Sequence, residues 1–250
     1  MEDFKNKYAF ITGTSSGIGL AIAEALLEKG WIVSGASRRD SPIKNENYNH
    51  INIDLSDISS FKDSLSDYLN EQFKKNYKRI LLVNNAAVTG KPATLDNYEP
   101  EELHKIFVVN SVVPAWLMGF FIKNHKPGSE LQIINISSGA AKHTIAGLSA
   151  YCSSKAALRM AGQVAISEIN AKKDQVDSKI SVLSYEPSVV ETDMQVQARN
   201  ASQDEFPSSG MFRNFKESGM LTTPGKVAEE LTDLIERGLR PGFSEKRFGS

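Results

Sequence analysis

A tyrosine and a lysine four residues apart, Tyr151 and Lys155, are the strongest candidates for chemistry in this chain. In a helix, side chains at this spacing lie on the same face. A free phenol has a pKa of about 10 and exchanges protons poorly at neutral pH, whereas a neighbouring ammonium favours the phenolate and lowers that pKa. The pair is therefore a candidate general acid or base. The same spacing also occurs on ordinary solvated helix faces. The rest of the sequence is therefore needed to distinguish a catalytic pair from a solvated one.

A glycine-rich turn near the N-terminus offers a second chemical feature. Tyr8 to Ile11 is an apolar run that predicts a buried strand, and a helical pattern continues from Ile18 to Gly30. Between them lie the candidate cofactor-binding residues Gly13, Ser15, Ser16, Gly17, Ile18 and Gly19. Strand, glycine turn and helix in this order favour a pyrophosphate at the helix N-terminus, where N–H groups are unpaired. The alternative is a plain glycine turn.

The residues after the second predicted strand, Trp31 to Ala36, bear on which dinucleotide is preferred. An NAD-binding site usually has an acidic residue here to bond the ribose 2′-hydroxyl. This chain instead has Ser37 followed by Arg38 and Arg39. Guanidinium groups suit a 2′-phosphate by charge and by bidentate geometry. We therefore expect NADP(H), unless the two arginines simply face solvent.

Further apolar runs alternate with helical patterns along the chain. Strands are predicted at Tyr48–Ile53, Ile80–Val83, Leu131–Ile136 and Ile180–Tyr185. This alternation predicts an α/β fold: a Rossmann-type doubly wound parallel sheet in a single domain, residues 1–250. In such a sheet, ligands bind at the carboxyl ends of the strands. The candidate residues at those ends are Asp54, Leu55, Asn84, Ala86, Ser138, Pro187, Val190, Thr192 and Met194.

Pro114 lies inside the helical pattern that begins near Pro100. A proline cannot donate a hydrogen bond to the carbonyl four residues earlier, and it clashes with that carbonyl. The affected residue is Asn110, so we expect the helix to bend and the Asn110 carbonyl to need another partner.

The bulk properties exclude several function classes. The chain has 250 residues and a net charge of −1, with no basic field for nucleic acid or an anionic membrane. The lone Cys152 excludes an internal disulfide and favours a reducing compartment. We read no signal peptide, no apolar run approaching about 18 residues and no metal-binding pattern among the histidines. A soluble, cytoplasmic protein without metal, membrane or nucleic-acid partners is expected.

Two C-terminal stretches are less regular. From about 188 to 223 the chain is polar and contains methionines, without clear periodicity; segments of this kind are often lids over a binding site. A last helix is predicted after Thr223-Pro224. The tail, from Pro241 to Ser250, allows a short final strand, but its pattern does not decide between strand and coil.

Taken together, these motifs resemble the classical short-chain dehydrogenases/reductases along essentially the whole chain. The matching residues are Thr12-Gly13-x-x-x-Gly17-x-Gly19, Asp54, Asn84-Asn85-Ala86, Asn110, Ser138 and Tyr151-x-x-x-Lys155, with Ser138 thirteen residues before Tyr151. The resemblance implies an NADP(H)-binding oxidoreductase with Asn110, Ser138, Tyr151 and Lys155 as its catalytic residues.

The same resemblance implies a role for each of these residues. Tyr151 donates a proton to the substrate carbonyl oxygen, and Ser138 hydrogen-bonds that oxygen. Lys155 lowers the pKa of Tyr151 and binds the nicotinamide ribose, and the Asn110 carbonyl holds a water linked to the lysine. Two further expectations are that Asp54 contacts the adenine amine and that Thr192 bonds the carboxamide. The family also implies a small-molecule carbonyl substrate and a homodimer or homotetramer.

Three positions depart from the family pattern. Ala87 replaces the usual glycine of Asn-Asn-Ala-Gly, and Ser188 replaces the glycine that usually follows Pro187. The tail lacks a clear version of the family's glycine-rich final strand.

The stretch containing Thr192-Asp193-Met194-Gln195 resembles the subfamily of sepiapterin reductases and benzil reductases. Both groups imply NADPH-dependent reduction of a carbonyl that neighbours another carbonyl. The tail has no Asp matching the one with which sepiapterin reductases hold the pterin, which favours an α-diketone or another hydrophobic or aromatic ketone. The alternatives are a pterin side-chain reductase, with Glu245 in place of that Asp, an NAD-linked alcohol dehydrogenase and a non-catalytic dinucleotide-binding regulator.

Overall fold

The structure, a computed structural model, describes residues 6–172 and 179–250. Within these residues, seven strands form one parallel sheet. In chain order they are β1 (Lys7–Thr12), β2 (Ile32–Ser37), β3 (Tyr48–Asn52), β4 (Arg79–Asn84), β5 (Glu130–Ile136), β6 (Lys179–Glu186) and β7 (Gly242–Arg247). Across the sheet the order is β3-β2-β1-β4-β5-β6-β7, so the strand order reverses direction between β1 and β4. This order confirms the predicted doubly wound, Rossmann-type fold.

Helices cover both faces of this sheet. In the same described ranges, the α-helices are α1 (Gly17–Glu28), α2 (Ile58–Phe73), α3 (Pro100–Phe107), α4 (Val113–Asn124), α5 (Ser149–Ala171), α6 (Asp193–Asn200), α7 (Ser209–Glu217) and α8 (Pro224–Arg237). Side chains of β4 alternate between the faces: Leu81 packs with Leu26 and Leu231 of α1 and α8, whereas Leu82 packs with the α2, α4 and α5 side. A sheet buried on both faces accounts for the continuous apolar runs of the central strands.

A π-helical turn, Val108–Val112, separates α3 from α4. Here the Val113 N–H reaches the carbonyl of Val108, five residues earlier. The regular α-helical pattern is therefore interrupted before Pro114, by one wide turn. Such turns occur frequently at functional sites, and Asn110 lies in the middle of this one.

The helical run Pro100–Asn124 corrects one sequence prediction. An 18-residue window within it has a mean hydropathy of 1.7, so by length and composition it could cross a membrane, contrary to our expectation that no run approached that length. Half of that window is buried inside the fold, where Leu117 and Phe121 belong to the core. Core packing accounts for its apolar character.

The tail forms a strand that its sequence pattern did not reveal. β7 pairs in parallel with β6, with Phe243 opposite Val182 and Glu245 opposite Ser184. The structure thus decides the question that the sequence left open between strand and coil: the tail forms a final strand. β7 lies at the edge of the sheet, where charged side chains remain in solvent and also protect the edge, so its hydrophobic alternation is weak.

The 188–223 segment contains α6 and α7, two short helices that its sequence did not predict. A bridge between Val190 and Thr222 joins its two ends, and the Ser208 hydroxyl bonds the Ala146 carbonyl of the body at 2.8 Å. The segment is therefore a loop that leaves the sheet after β6 and returns beside its own starting point before α8.

Candidate active site

The sequence-predicted residues converge on the carboxyl edge of the sheet. The glycine turn follows β1, Arg38 and Arg39 follow β2, and Asp54 follows β3. Asn84 ends β4, Ser138 follows β5, and Pro187 follows β6. Tyr151 and Lys155 lie in the first two turns of α5. The parallel arrangement of the strands brings these distant parts of the chain to one edge.

The glycine turn has the geometry of a phosphate-binding loop. Gly13 and Gly17 have φ angles of +78° and +62°, which side-chain-bearing residues rarely adopt. A Cβ atom on Gly19 would lie 2.3 Å from the Gly13 carbonyl oxygen, so only glycine allows this approach of α1 to β1. Ser16 precedes α1 without a side-chain cap on its first N–H groups. These donors suit an anionic ligand, and the turn fits the pyrophosphate of a dinucleotide.

Thr12 and Asn85 fasten this turn to the end of β4. The Thr12 hydroxyl accepts hydrogen bonds from the Asn85 and Ala86 N–H groups, both at 3.0 Å. The Asn85 side-chain amide donates to the carbonyls of Thr12 (2.9 Å) and Gly13 (3.2 Å). Asn85 was not among the predicted site residues. Its position directly after a buried strand, beside Asn84, was the signal that could have identified it.

Asn110 holds the π-turn against the chain that follows β4. Its side-chain oxygen accepts the Val88 N–H at 2.8 Å, and its amide nitrogen donates to the Val88 carbonyl at 2.8 Å. The same nitrogen donates to the Ser154 hydroxyl at 3.0 Å. Asn110 is fully buried. Its side chain therefore positions two neighbouring segments, in addition to the role predicted for its carbonyl.

Ser154 is a second positioning residue that the sequence reasoning missed. Its hydroxyl donates to the Tyr151 carbonyl at 2.8 Å, and its own carbonyl accepts the Ser111 hydroxyl at 2.9 Å. The bond to the carbonyl three residues earlier is a common habit of serine in helices, so the sequence alone did not indicate that Ser154 also binds Asn110. These contacts fix the first turn of α5, and hence Tyr151, relative to the π-turn.

Tyr151 and Lys155 are both buried, with 9% and 2% of their surface exposed. Burial raises the pKa of Tyr151 to about 12, an effect that the neighbouring Ser138 hydroxyl opposes in part. Burial likewise lowers the pKa of Lys155 to about 8. Burial therefore dominates the pKa of Tyr151 in this structure, and the lowering expected from Lys155 stays a prediction.

Lys155 contacts both the Tyr151 ring and the end of β5. Its ammonium lies 5.7 Å from the centre of the Tyr151 ring and donates a hydrogen bond to the Ile136 carbonyl at 2.8 Å. That carbonyl ends β5, directly before the loop that carries Ser138. Lys155 thus connects the catalytic helix with the Ser138 loop, and the Ser138 hydroxyl in turn accepts the Ala140 N–H at 3.2 Å.

An apolar cluster surrounds the Tyr151 ring and includes part of the 188–223 segment. Ala140, Leu148, Ala198 and Phe206 are its buried members besides Tyr151. Ala87, Ile145, Cys152, Met194, Ala201 and Phe212 pack around them. A Cβ on Gly147 would lie 2.6 Å from the Phe206 ring. The absence of a side chain at this position therefore lets the Phe206 ring pack directly against the loop before α5. The surroundings of the Tyr151 ring are therefore largely apolar.

Comparison with known proteins identifies the family. The model described as short chain dehydrogenase matches residues 7–203. The chain belongs to the short-chain dehydrogenase family. A benzil reductase of Bacillus cereus is 32% identical over 238 residues, covering 92% of this chain and 94% of the relative. A sepiapterin reductase of Meriones unguiculatus is 27% identical, covering 91% and 90%.

Solved structures agree with the fold. A short-chain dehydrogenase/reductase from Saccharomyces cerevisiae superposes with a TM-score of 0.78 at 22% identity, covering 96% of this chain and 95% of the other. Membership of this short-chain dehydrogenase family makes the protein an oxidoreductase that acts on small molecules and binds a nicotinamide dinucleotide. The resemblance to sepiapterin and benzil reductases that the sequence indicated is confirmed.

Several predicted dinucleotide-binding residues use their side chains elsewhere. Leu55 and Val190 are buried in the two cores of this short-chain dehydrogenase. The Asn84 amide donates to Asn135 at 2.8 Å. The Asp54 carboxylate accepts the Ser56 N–H and hydroxyl at 2.9 and 2.8 Å, and the Ser56 N–H is the main reason that the pKa of Asp54 is lowered. Only the backbone of Leu55 and Val190 is left for a dinucleotide.

The Glu245 carboxylate forms ion pairs beside the Ser138 loop. Arg159 donates to its two oxygens at 2.6 and 2.9 Å, and Lys142 lies 3.1 Å away. These contacts hold the pKa of Glu245 down at about 2, the Arg159 hydrogen bond contributing most. Among the described residues, no group of three or more His, Cys, Asp or Glu side chains is arranged to hold a metal ion.

Proposed function

We propose that the protein reduces a hydrophobic or aromatic ketone, most suitably an α-diketone, to a hydroxy product with NADPH. The observation that carries this proposal is the buried Tyr151, which adjoins Ser138 and Lys155 inside an apolar cluster. A site of this kind combines one proton donor with walls that favour an apolar substrate. A relative at 32% identity is named for forming (S)-benzoin from benzil, a diphenyl diketone.

In this proposal, a bound nicotinamide supplies the hydride and Tyr151 supplies the proton. The raised pKa keeps the phenol protonated at neutral pH, and the alkoxide developing on the substrate is the stronger base. The Ser138 hydroxyl donates a hydrogen bond to the same oxygen and stabilises its developing charge. Burial of Tyr151 and Lys155 excludes water, which strengthens these interactions.

Lys155 and Asn110 support the donor. The Lys155 ammonium, which donates to the Ile136 carbonyl, would hold the ribose hydroxyls of the dinucleotide. Asn110 fixes the π-turn against Val88 and Ser154. Its main-chain carbonyl, which Pro114 deprives of the usual helical partner, remains the proposed site of a water that feeds protons toward Lys155.

Arg38 and Arg39 support NADPH as the reductant. Both are exposed and directly follow β2, at the position where an acidic residue would favour NADH. The Arg39 guanidinium donates to the Ser16 hydroxyl at 3.0 Å, which places it beside the glycine turn. A 2′-phosphate near this turn would meet the Arg39 guanidinium, which also lies 4.0 Å from the exposed Asp193 carboxylate.

The 188–223 segment is the proposed lid. Its residue Thr192 approaches the glycine turn, with its methyl carbon 3.6 Å from the position of a Gly17 Cβ. Its residues Met194, Phe206 and Phe212 belong to the cluster around Tyr151. One segment thus borders both the dinucleotide and the substrate, and moving it would open the site.

The sepiapterin-type alternative requires a free acidic residue in the tail to hold a pterin. Glu245 is the candidate, but its carboxylate is occupied by Arg159 and Lys142. A pterin would have to displace both cations. The ion pairs of Glu245 therefore favour an α-diketone substrate over a pterin substrate.

Cytoplasmic location and assembly into a homodimer or homotetramer remain part of this proposal. Val112, Met160 and Val164 are 44%, 54% and 44% exposed on the outer side of the π-turn and α5. Apolar side chains at such positions suit a subunit contact. Light scattering after size-exclusion chromatography should give at least twice the mass of the chain, and Val164→Glu should lower it.

The function is tested by NADPH oxidation with benzil, 1-phenyl-1,2-propanedione, sepiapterin and cyclohexanone, each repeated with NADH. We expect turnover of the two aromatic diketones with NADPH, and little with sepiapterin or with NADH. A preference for sepiapterin would favour the pterin alternative. Tight NADPH binding without any turnover would favour the regulator, and a preference for NADH would contradict the role of the arginines.

A further inference from the structure

A chain of hydrogen bonds connects the glycine turn with the backbone of Arg39. The Thr14 hydroxyl lies 2.9 Å from the Tyr48 hydroxyl. The Tyr48 hydroxyl lies 3.1 Å from Nδ1 of His50, and Nε2 of His50 lies 3.1 Å from the Arg39 carbonyl oxygen. Neither Tyr48 nor His50 belongs to the residues that perform the proposed reaction. Both extend from β3 toward the loop that follows β2.

The direction of these bonds follows from their last member. A carbonyl oxygen can only accept, so Nε2 of His50 carries a proton and donates it to Arg39. In the neutral imidazole, Nδ1 then accepts the Tyr48 O–H, and the Tyr48 oxygen accepts the Thr14 O–H. Every donor has one acceptor. The chain is therefore satisfied from end to end, which makes it a defined positioning element.

Gly35 provides the space in which this chain forms. A Cβ atom at this position would lie 2.3 Å from the Thr14 hydroxyl oxygen and 2.3 Å from the Tyr48 hydroxyl oxygen. Contacts that short are impossible, so any side chain on residue 35 would separate the two hydroxyls. The glycine in the middle of β2 has no turn or positive φ to explain it, and the close approach of the two hydroxyls does.

Further hydrogen bonds hold the loop after β2 near this chain of hydrogen bonds. The Ser37 hydroxyl donates to the Arg39 carbonyl at 2.8 Å, the same oxygen that His50 binds. The Ser41 hydroxyl donates to the Thr14 carbonyl at 3.2 Å. The Arg39 side chain reaches Ser16. The Arg39 backbone is thus fixed by β2 and β3, whereas its exposed guanidinium contacts Ser16 and lies 4.0 Å from Asp193.

We propose that Tyr48 and His50 are positioning residues that hold Arg39 in place for the 2′-phosphate of the dinucleotide. This inference rests on the proposed preference for NADPH. An exposed arginine binds a phosphate more tightly when its backbone is already ordered, since less conformational freedom is lost on binding. Tyr48 and His50 therefore act on selectivity between the two dinucleotides, and they leave the chemistry at Tyr151 unchanged.

The test measures binding of 2′,5′-ADP and 5′-AMP to the full chain by isothermal titration calorimetry. These probes differ in the 2′-phosphate and need no carbonyl substrate. Tyr48→Phe removes the central hydroxyl and should weaken 2′,5′-ADP binding by roughly fivefold, the effect of losing one hydrogen bond, with 5′-AMP binding little changed. His50→Ala should act similarly, and His50→Gln, which keeps an N–H donor for the Arg39 carbonyl, should restore most of the affinity.

Tyr68→Phe is the matched control. The Tyr68 hydroxyl also bonds the β2–β3 pair, through Ser34 at 2.7 Å and Asn49 at 3.1 Å, but it does not contact the Arg39 loop. It should leave the ratio of the two affinities unchanged. The positioning role is contradicted if Tyr48→Phe leaves the ratio of the 2′,5′-ADP and 5′-AMP affinities unchanged, as Tyr68→Phe is expected to do. A wild-type protein that binds both probes equally would overturn the NADPH proposal, and this inference with it.

Discussion

Two regions next to the Tyr151 cluster are held by different forces. The first region is the start of α5, which carries Tyr151 and is fixed by buried, neutral hydrogen bonds through Asn110 and Ser154. The second region consists of two sets of ion pairs near the surface, which we call the rim ion pairs. Glu191 pairs with Arg199 and Lys216 at 2.7 and 2.9 Å, and Glu245 pairs with Arg159 and Lys142. The rim ion pairs are partly solvated.

This difference separates chemistry from substrate choice. A buried hydrogen bond that loses one partner leaves a desolvated polar group, which costs free energy, whereas a solvated ion pair contributes little and is screened by salt. Tyr151, the proposed proton donor, is therefore held rigidly. The surface formed by the rim ion pairs is held more weakly. We expect substitutions at the start of α5 to affect turnover, and substitutions in the rim ion pairs to affect substrate binding and stability at acid pH.

The largest expected effect is that of Tyr151→Phe. Removing the proton donor should lower kcat by roughly 10²–10⁴-fold, with NADPH binding retained, as measured by steady-state kinetics and cofactor fluorescence. Tyr77→Phe, at the opposite edge of the sheet, is the control and should keep full activity. Unchanged turnover in Tyr151→Phe would contradict the proposed mechanism.

Ser154→Ala should affect both stability and turnover. It removes the acceptor of the Asn110 amide and the donor to the Tyr151 carbonyl, so the free energy of unfolding should fall by about 1–2 kcal/mol. Displacement of Tyr151 should lower kcat roughly tenfold. Urea unfolding and kinetics give the two values. The exposed neighbour Ser153→Ala should change neither, and an equal effect of both variants would argue against the hydrogen-bond network.

Ser188→Gly should increase stability. Ser188 has a φ of +64°, and an L-residue in this left-handed region is strained by roughly 1–2 kcal/mol. Glycine removes that strain but adds freedom to the unfolded chain, so a net gain of about 0.5–1 kcal/mol is expected from thermal unfolding. Ser188→Ala keeps the Cβ and should gain nothing, and equal effects of the two would show that strain is not the cause.

Glu245→Gln should reveal a pH-dependent contribution at the rim. The ion pairs depress the folded-state pKa of Glu245 to about 2, whereas an unfolded glutamate titrates at about 4.3. A depressed pKa contributes stability above the unfolded value, and that stability is lost as pH falls through the folded value. The stability difference between wild type and variant should therefore shrink as the pH falls from 5 toward 3 in urea titrations. A constant difference would contradict the assignment.

The smallest effect is expected for Glu191→Gln. It weakens the contacts that join α6 and α7 to the start of the 188–223 segment, so the KM for a bulky diketone should change roughly twofold at low salt and kcat should not. High salt should abolish the difference between variant and wild type. Glu217→Gln, on α7 and outside this cluster, is the control, and a large loss of kcat in Glu191→Gln would contradict the separation of the two regions.

Much of this architecture could be predicted from the sequence because it depends on local patterns. Apolar runs of the central strands, glycines in the turn after β1, and Pro114 four residues after Asn110 each act within a few positions of the chain. They predicted the doubly wound sheet, the glycine turn between β1 and α1, and an irregularity before Pro114, which the structure shows as a π-turn. The Tyr151–Lys155 spacing likewise placed both side chains on one helix.

The remainder depended on contacts between distant segments, which no local pattern records. β7 is held by its neighbour β6, and its own charged sequence conceals it. The pKa of Tyr151 is raised mainly because the whole fold excludes solvent from the phenol. Asn85, Ser154, Tyr48 and His50 gain their roles from partners far along the chain or across the sheet. The sequence by itself determined which chemical groups are present and which elements carry them, and the tertiary structure decided their solvation and partners, because desolvation and hydrogen bonding depend on what packs around a group.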